Sequence, residues 1–280
     1  MGKIKIVTDS TVDMTKEELD FYDIKMVPLS IAIDGETYLD KIEIDQEEFL
    51  NKMKHSAELP KSSQPSAGTL AEIYDEIGKD GSEVISIHMT GGMSGTVRSA
   101  ECAADMSKTE VTVFDSQFIS KAMSFQVIEA AKMARAGSSK EDILARLENI
   151  RENTRLIIVI DNLENLRKGG RIGKLSGLIG SILKLKPIAI LKGGVLHLEL
   201  KARSESQILK FIRKKSDEDL DGKKVGGMGI VHANGYSLAE KVRQFISEKT
   251  GIRDIKIEGT TPVVSTHTGE GAIALMYYWN

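Results

Sequence analysis

The stretch VSTHTGEG, residues 264–271, places one histidine among hydroxyl groups and glycines, directly after the apolar start of what we interpret as a strand. This residue, His267, is one of five histidines in the chain. Hydroxyls and imidazoles donate hydrogen bonds to carboxylate or phosphate oxygens. The glycines that follow permit a close approach of the backbone to a bound group. His267 is therefore a candidate ligand-binding residue, and the alternative is an ordinary surface or core histidine.

Two familiar kinds of histidine chemistry are not indicated by the residue pattern. The five histidines have no close ligand spacing and Cys102 is the only cysteine, so the sequence predicts no metal site. A serine nucleophile is not indicated either, because no G-x-S-x-G segment is present. We expect His267 to donate a hydrogen bond to an acidic group.

Hydroxyl side chains also follow several predicted strands. In open α/β sheets, ligands lie outside the carboxyl ends of the strands. The segments that follow strands are 8–10, 90–96, 115–116 and 265–271. Ser62 and Ser63 add two more hydroxyls in the predicted loop Leu59–Ala67 (LPKSSQPSA). These segments are the candidate binding surface.

The segment Thr90–Thr96 is predicted to enter a helix at Ser94. A serine at this position is commonly an N-cap, which is the structural interpretation. The functional interpretation is an anion site, in which the free N–H groups of a helix start act together with the hydroxyls of Ser94 and Thr96. Gly95 lies between these two residues. The two interpretations are compatible.

Asp9 and Asp115 allow an enzymatic alternative. An aspartate at the end of a parallel strand can bind Mg²⁺ or act as a nucleophile in phosphoryl transfer. However, Thr11 stands where a second aspartate would be expected, and segment 90–96 lacks the lysine of a phosphate-binding loop. The structural interpretation is that both carboxylates accept backbone hydrogen bonds or cap helices. A metal-dependent phosphotransferase or hydrolase using Asp9 and Asp115 stays open as the alternative function.

Two basic positions follow predicted elements in the second half of the chain. The glycine-rich segment Lys168–Lys174 (KGGRIGK) is typical of a helix end followed by a new helix start. Arg203 lies between a predicted strand and a predicted helix. It is either a solvated charge or an interface residue, since arginine is enriched at interfaces.

The predicted pattern of strands and helices that position these residues changes near residue 160. Before it, short β-branched runs alternate with amphipathic helical stretches, which predicts a mostly parallel sheet with helices on both faces. After it, Gly193-Gly194 between two apolar runs predicts a hairpin, and helices and strands then alternate in a mixed order. We predict an α/β protein with two domains, an N-terminal one over residues 1–160 and a C-terminal mixed α/β one over residues 161–280.

The bulk composition narrows the classes of function. The formal net charge is −3 and no basic stripe with interleaved aromatic residues is present, which argues against nucleic-acid binding. The N-terminal segment lacks the features of a secretory signal, and no apolar run approaches the roughly 18 residues of a membrane span. With one cysteine there is no disulfide framework. We expect a cytoplasmic protein.

Five short motifs in this order resemble the DegV family. Each is weak alone, and together they extend over the whole chain. They are IVTDST at 6–11, KSSQP at 61–65, MSGT at 93–96, KGGRI at 168–172 and TPVVSTHTG at 261–269. Within that family, the sequence resembles most the fatty-acid-binding subunits of bacterial fatty acid kinase.

The resemblance implies a non-catalytic lipid carrier with no cofactor or metal. It would enclose one long-chain fatty acid between its two domains, with the carboxyl group near their junction and the tail in an apolar tunnel. A separate kinase subunit would phosphorylate the carboxyl group to give an acyl-phosphate for bacterial phospholipid synthesis. No nucleic-acid partner and at most transient membrane contact are implied.

The resemblance also implies roles for particular residues. By motif match, Ser62, Ser94 and His267 would hold the fatty-acid carboxylate, and Arg203 would face the kinase subunit. The resemblance further implies that four neighbouring residues support the three that contact the carboxylate: Ser63, Gly95, Thr96 and Thr268.

Two departures from the family pattern concern acyl preference. Ser62 stands where threonine is usual, and Met93 stands where leucine is common, after Thr90-Gly91-Gly92 in place of a serine-rich stretch. Serine keeps the hydroxyl and loses a methyl group, and we expect both departures to alter acyl preference without abolishing binding.

Overall fold

The structure is a computed structural model and describes residues 3–173 and 185–280. Its strands, in chain order, are β1 (Ile4–Asp9), β2 (Ile24–Val27), β3 (Ser30–Ile33), β4 (Glu36–Leu39), β5 (Lys61–Ser63), β6 (Glu83–His88), β7 (Val111–Asp115), β8 (Thr154–Val159), β9 (Lys186–Lys192), β10 (Val195–Ala202), β11 (Val225–His232), β12 (Lys256–Gly259) and β13 (Ile273–Trp279). Its helices are α1 (Lys16–Tyr22), α2 (Gln46–His55), α3 (Ala67–Ile77), α4 (Thr96–Met106), α5 (Ser120–Arg135), α6 (Lys140–Glu152), α7 (Glu164–Lys168), α8 (Glu205–Leu220), α9 (Tyr236–Thr250) and α10 (Pro262–Thr268).

The first sheet is wholly parallel, with the strand order β2-β1-β6-β7. Neighbouring residues of its strands point to opposite faces. On one face Val7 and Val84 pack against helices α3 and α4, with Tyr74 and Ala100 in the same cluster. On the other face Ile6, Ile85 and Ile87 belong to a larger cluster that includes side chains of α5 and α6. The predicted parallel sheet with helices on both faces is confirmed.

The second sheet is mixed, with the strand order β10-β9-β8-β13-β11-β12. Only β11 and β12 pair in parallel, and the hairpin predicted at Gly193-Gly194 joins β9 to β10. The apolar run LIIVI at 156–160 belongs to the part of the chain that was predicted to form the parallel sheet, and for this run the prediction is wrong. Strand β8 pairs antiparallel with β13 and β9. It therefore lies with elements from beyond residue 160.

Helix α5 lies between the two sheets. It contacts β1 and β6 of the parallel sheet and β8, β11 and β13 of the mixed sheet. Ala122 and Met123 of this helix share one buried cluster with Leu156, Ala274 and Met276 of the mixed sheet. The core between the sheets is therefore formed by elements from both halves of the chain.

A third, small sheet has the strand order β4-β3-β5. Its edge strand β5 falls inside the segment Leu59–Ala67, which was predicted to be a loop. Ser62 pairs there with Ile31 in antiparallel register. Because side chains alternate along a strand, this pairing gives Ser62 and Ser63 opposite directions.

Local sequence signals account for several helix starts. Thr15 and Glu18 form a capping box at the start of α1, and Asp45 caps α2 by accepting a hydrogen bond from the Glu48 backbone N–H. Thr261 caps α10 and Pro262 occupies its first turn, where a proline costs no hydrogen bond. In the described ranges, no helix has the length and apolar character needed to cross a membrane.

Candidate functional site

The side chains of Ser62 and His267 meet although 205 residues separate them in the chain. The Ser62 Oγ lies 2.8 Å from the His267 Nε2. Ser62 comes from β5 and His267 from the last turn of α10. The sequence analysis placed His267 after the start of a strand, and this is wrong: the segment is helical because Thr261 and Pro262 start a helix directly before it.

Burial determines the charge of His267. Removal from water lowers its pKa to about 4, and the positive charge of Arg171 acts in the same direction. The imidazole is therefore neutral near pH 7, with one N–H donor and one acceptor. Its Nδ1 atom is buried and has no hydrogen-bond partner among the residues that the structure describes.

Gly169 is needed for this placement of the ring. A Cβ atom at Gly169 would lie 2.5 Å from the His267 Nδ1. The backbone φ of Gly169 is −75°, which any residue can adopt, so the requirement concerns space rather than backbone conformation. The end of α7 can pack against His267 only because this position has no side chain.

Ser94 lies in the loop between β6 and α4. Its Oγ atom is 2.8 Å from the Thr96 Oγ1 and accepts a hydrogen bond from the Thr96 backbone N–H at 3.2 Å. The helix begins at Thr96 rather than at the predicted Ser94, and its N-cap residue Gly95 provides no side-chain hydrogen bond. The Ser94 hydroxyl thus occupies a tight turn just before the helix.

One cavity brings Ser62, Ser94 and His267 together. All three line it, and its volume is about 600 Å³ with its opening included. Thr11, Arg171 and Thr268 contribute further polar groups. The remaining wall is apolar: Leu29, Met89, Met93, Ile119, Leu156, Ile158, Leu166, Leu191, Leu196, Val263 and Val264. A few polar groups among many apolar ones are typical of a site for an amphipathic ligand.

The four residues expected to support the carboxylate site differ in their position relative to the cavity. Thr268 lines the cavity, and its hydroxyl donates to the Val264 carbonyl at 3.1 Å. Thr96 is fully buried behind Ser94. Gly95 packs against Gln64, whose amide donates to the Gly95 carbonyl at 3.1 Å. Ser63 is exposed and does not line the cavity.

Sequence reasoning missed Arg171 as a cavity residue. The Arg171 Nε donates to the Met93 carbonyl at 3.0 Å, and its Nη1 donates to the Gly169 carbonyl at 2.6 Å. The guanidinium therefore has a fixed position beside the three predicted residues. The KGGRI motif was the available signal, but we interpreted its basic residues as part of a helix junction. The helix end at Lys168 is confirmed, and the predicted new helix start lies outside the described residues.

Asp9 and Asp115 hold the loop that carries Ser94. The Asp9 Oδ2 accepts from the Met89 backbone N–H at 2.8 Å, and the Asp115 Oδ2 accepts from the Gly91 N–H at 3.2 Å. The other oxygen of Asp115 accepts from the Gln117 N–H at 2.8 Å. Both carboxylates are engaged in fixing backbone, as in the structural interpretation given above.

Asp9 also ends a buried hydrogen-bonded chain. Its Oδ2 lies 3.1 Å from the His88 Nδ1, and the His88 Nε2 lies 2.7 Å from the Ser86 Oγ. Burial acts to raise the pKa of Asp9, but the hydrogen bonds from His88, Thr11 and Met89 outweigh it and lower the pKa. The order Asp-His-Ser is that of a hydrolase triad, but all three side chains have no exposed surface. A substrate has no access to this serine.

Arg203 lies outside the cavity. It is exposed at the junction of β10 and α8, and its backbone N–H donates to the Gln207 Oε1 at 2.6 Å. Leu196, near the other end of β10, lines the cavity. Over residues 3–173 and 185–280, no group of three or more histidine, cysteine or acidic side chains has an arrangement that could hold a metal ion.

Comparison with a family model shows to which protein family the chain belongs. The model described as "Uncharacterised protein, DegV family" matches residues 3–280. The chain belongs to the DegV family. A DegV domain-containing protein of Listeria innocua is 44% identical over 280 residues, with 99% of each chain covered. A DegV domain-containing protein of Staphylococcus aureus is 40% identical over 276 residues, again with 99% of each chain covered.

Solved structures of DegV proteins have the same fold. The chain is similar to a DegV family protein from Thermus thermophilus, described for its fatty acid binding, with a TM-score of 0.93 and 31% identity. That match covers 99% of this chain and 100% of the other. It is also similar to DegV from Bacillus subtilis, described as a fatty acid binding protein, with a TM-score of 0.91, 34% identity and full coverage of both chains. The resemblance in the five sequence motifs is thus confirmed as family membership.

Proposed function

We propose that this DegV-family chain binds a long-chain fatty acid and presents its carboxylate to a separate kinase subunit. The carboxylate would lie at Ser62, Ser94 and His267, and the acyl chain would occupy the apolar part of the same cavity. The observation that carries the proposal is the contact of Ser62 with a half-buried, neutral His267 in the wall of that cavity. The fatty-acid binding of the Thermus and Bacillus proteins supports it.

The chemistry of the head-group site suits a carboxylate. A buried carboxylate requires hydrogen bonds, and two hydroxyls and an imidazole can provide them. Arg171 adds a positive charge, but two of its nitrogens already donate to backbone carbonyls. The head-group site would thus combine three neutral hydrogen-bonding side chains with one nearby positive charge.

The apolar walls would provide most of the affinity. Burial of each methylene group contributes about 0.8 kcal/mol, so a long acyl chain contributes on the order of 10 kcal/mol before the costs of ordering it. The walls come from the loops that follow β1, β2 and β6, from β8, β9 and β10 of the mixed sheet, and from α7 and α10. We therefore place the ligand between the predicted units 1–160 and 161–280.

The phosphoryl transfer itself belongs to the partner. In this proposal a carboxylate oxygen attacks the terminal phosphorus of the partner's nucleoside triphosphate, the nucleoside diphosphate leaves, and the product is an acyl-phosphate for phospholipid synthesis. This chain is a non-catalytic, cytoplasmic carrier that binds its ligand without a cofactor. Arg203 is our candidate for the kinase-facing surface, because it is exposed directly after β10, the strand whose other end forms part of the cavity.

No specific observation favours the alternative enzyme that uses Asp9 and Asp115. The carboxylate oxygens of both residues accept hydrogen bonds that fix the loop before α4. Their role in the proposed carrier is to position Ser94. Metal-dependent turnover by the isolated chain, abolished in Asp115→Asn with lipid binding intact, would revive the alternative.

Native mass spectrometry tests the binding proposal directly. Protein purified from a bacterial host should carry an adduct of fatty-acid mass that is lost on denaturation. Delipidated protein should take up oleate or palmitate in a one-to-one ratio. Protein that is free of adduct and also fails to take up either acid would contradict the proposal.

A further inference from the structure

A second, partly open cavity adjoins the first. Its volume is about 320 Å³ with its opening included, and the strands β11 and β13 provide part of its wall. Ile119, Leu156, Ile158 and Val264 line both cavities. The second cavity thus continues the apolar space beyond the side chains that end the first, on the side of the mixed sheet.

Three hydrogen-bonded polar residues stand at the border of the second cavity. Ser120 and Thr260 line it, and the hydroxyls of both donate to the Asp13 carboxylate, that of Thr260 at 3.1 Å. All three residues are almost fully buried. We call Asp13, Ser120 and Thr260 the polar plug.

The other side of the polar plug is open. Asp13 and Thr260 also line a surface cleft of about 850 Å³, together with Lys41, Gln46 and Glu258. The polar plug therefore lies between the second cavity and this surface cleft. Its members come from both halves of the chain, Asp13 and Ser120 from the first and Thr260 from the second.

The polar plug has a rigid position. The Asp13 backbone carbonyl accepts hydrogen bonds from the Lys121 Nζ at 3.0 Å and from the Ser124 Oγ at 3.1 Å. The Ser120 backbone N–H donates to the Thr11 carbonyl at 2.9 Å, and Ser120 has a φ of +63°. A methyl group cannot replace these hydrogen bonds, and breaking them would leave a buried carboxyl group without its donors.

We propose that the polar plug closes the distal end of the acyl site and sets the longest chain that the protein accepts. The inference rests on the proposed function, because it assumes a fatty acid whose head group lies at His267. The acyl chain passes Ile119 and Val264 into the second cavity, and its methyl end stops at Ser120 and Thr260. Asp13, Ser120 and Thr260 are thus specificity-determining residues for chain length.

The inference predicts a break in the dependence of affinity on chain length. While the chain stays inside the apolar space, each added methylene should strengthen binding roughly fourfold. Once the methyl end reaches the polar plug, a longer chain must displace hydrogen-bonded groups, and the gain should end or reverse. A homologous series from decanoate to docosanoate, offered to delipidated protein in equimolar competition and read by native mass spectrometry, locates the break.

Two substitutions remove a hydroxyl from the polar plug. Thr260→Ala also opens space toward the cleft. Ser120→Gly is the safer variant for folding, because its backbone already has the positive φ that glycine adopts readily. In both variants the break should move to chains longer by two or more carbons, with about the same affinity for shorter acids.

The matched control is Thr154→Ala. Thr154 has the same 4% exposure as Thr260 and donates its hydroxyl to the Ile150 carbonyl, but it lines neither cavity. A break that moves in the two plug variants and stays in the control supports the inference. A break that stays in both plug variants, or moves equally in the control, overturns it.

The same experiment separates this inference from the proposed function. Binding of fatty acids with an unmoved break rejects the polar plug as a length limit and leaves the carrier function intact. Failure of the wild-type protein to bind any acid of the series rejects the carrier function, and the inference with it.

Discussion

The Asp40 carboxylate accepts a hydrogen bond at 3.2 Å from the Val263 backbone N–H, in the first turn of the helix that carries His267. Its other oxygen accepts from the Ser10 hydroxyl at 2.6 Å, next to the end of β1. Asp40 thus joins the parallel sheet to α10. The position of His267 depends on a carboxyl group that is itself fully buried.

This carboxyl group should make folding stability depend on pH. Burial raises the pKa of Asp40 to about 7, although the hydrogen bonds from Ser10 and Val263 act in the opposite direction. The unfolded chain loses this proton near its ordinary pKa of 3.8. Between about pH 4 and about pH 7 the folded state holds the proton more tightly, so Asp40's contribution to stability falls as the pH rises.

The variant Asp40→Asn removes this pH dependence. We expect the free energy of unfolding of the wild type to fall more steeply than that of Asp40→Asn across this window, by at most roughly 1.4 kcal/mol per pH unit. Urea unfolding of delipidated protein at several pH values measures it. Asp20→Asn, at an exposed carboxylate of α1, is the control. Parallel pH profiles for wild type and Asp40→Asn would refute the assignment.

The proposed head-group residues should each contribute to ligand affinity. We expect Ser62→Ala, Ser94→Ala and His267→Ala each to weaken fatty-acid binding by about 1–3 kcal/mol, since each leaves a buried carboxylate oxygen short of a donor. Ser63→Ala is the matched control, because Ser63 is the exposed neighbour of Ser62 on the same strand. Displacement of a fluorescent fatty acid measures all four. Unchanged affinity in the three site variants would show that the head group binds elsewhere.

Some residues of this site could be predicted from sequence motifs, and one could not. The motifs selected Ser62, Ser94 and His267, and the structure places all three in one cavity wall. Arg171 was missed because a charged residue beside glycines is equally typical of a helix junction. Its cavity position depends on hydrogen bonds to Met93 and Gly169, and such long-range contacts have no local pattern.

The fold also has one part that was predictable from the sequence and one part that was not. The parallel sheet was predictable because its strands alternate with helices at short range. The pairing of β8 was not, because an apolar run has the same appearance whether its neighbours are parallel or antiparallel. Its partners β9 and β13 lie far along the chain, and only the packed sheet reveals them.

Gly169 gives a test of the His267 position that leaves all polar groups intact. In Gly169→Ala the new methyl group would overlap the imidazole, so the ring must move away from Ser62. We expect fatty-acid affinity to fall at least about tenfold, which corresponds to about 1.4 kcal/mol, while the protein stays folded. Gly68→Ala in α3 is the control, since its Cβ would have only ordinary contacts. Equal affinity in Gly169→Ala and wild type would show that the ring position does not matter for binding.

Arg203 should separate partner recognition from lipid binding. Its exposed position outside the cavity predicts that Arg203→Ala binds fatty acid with wild-type affinity. If Arg203 contacts the kinase subunit, acyl-phosphate formation in the reconstituted pair should fall, and raising the carrier concentration should restore it. Lys210→Ala, at another exposed basic residue of the adjoining helix α8, controls for a general loss of positive charge. Equal losses of lipid binding and phosphorylation in Arg203→Ala would contradict this role, because they would place Arg203 in the ligand site.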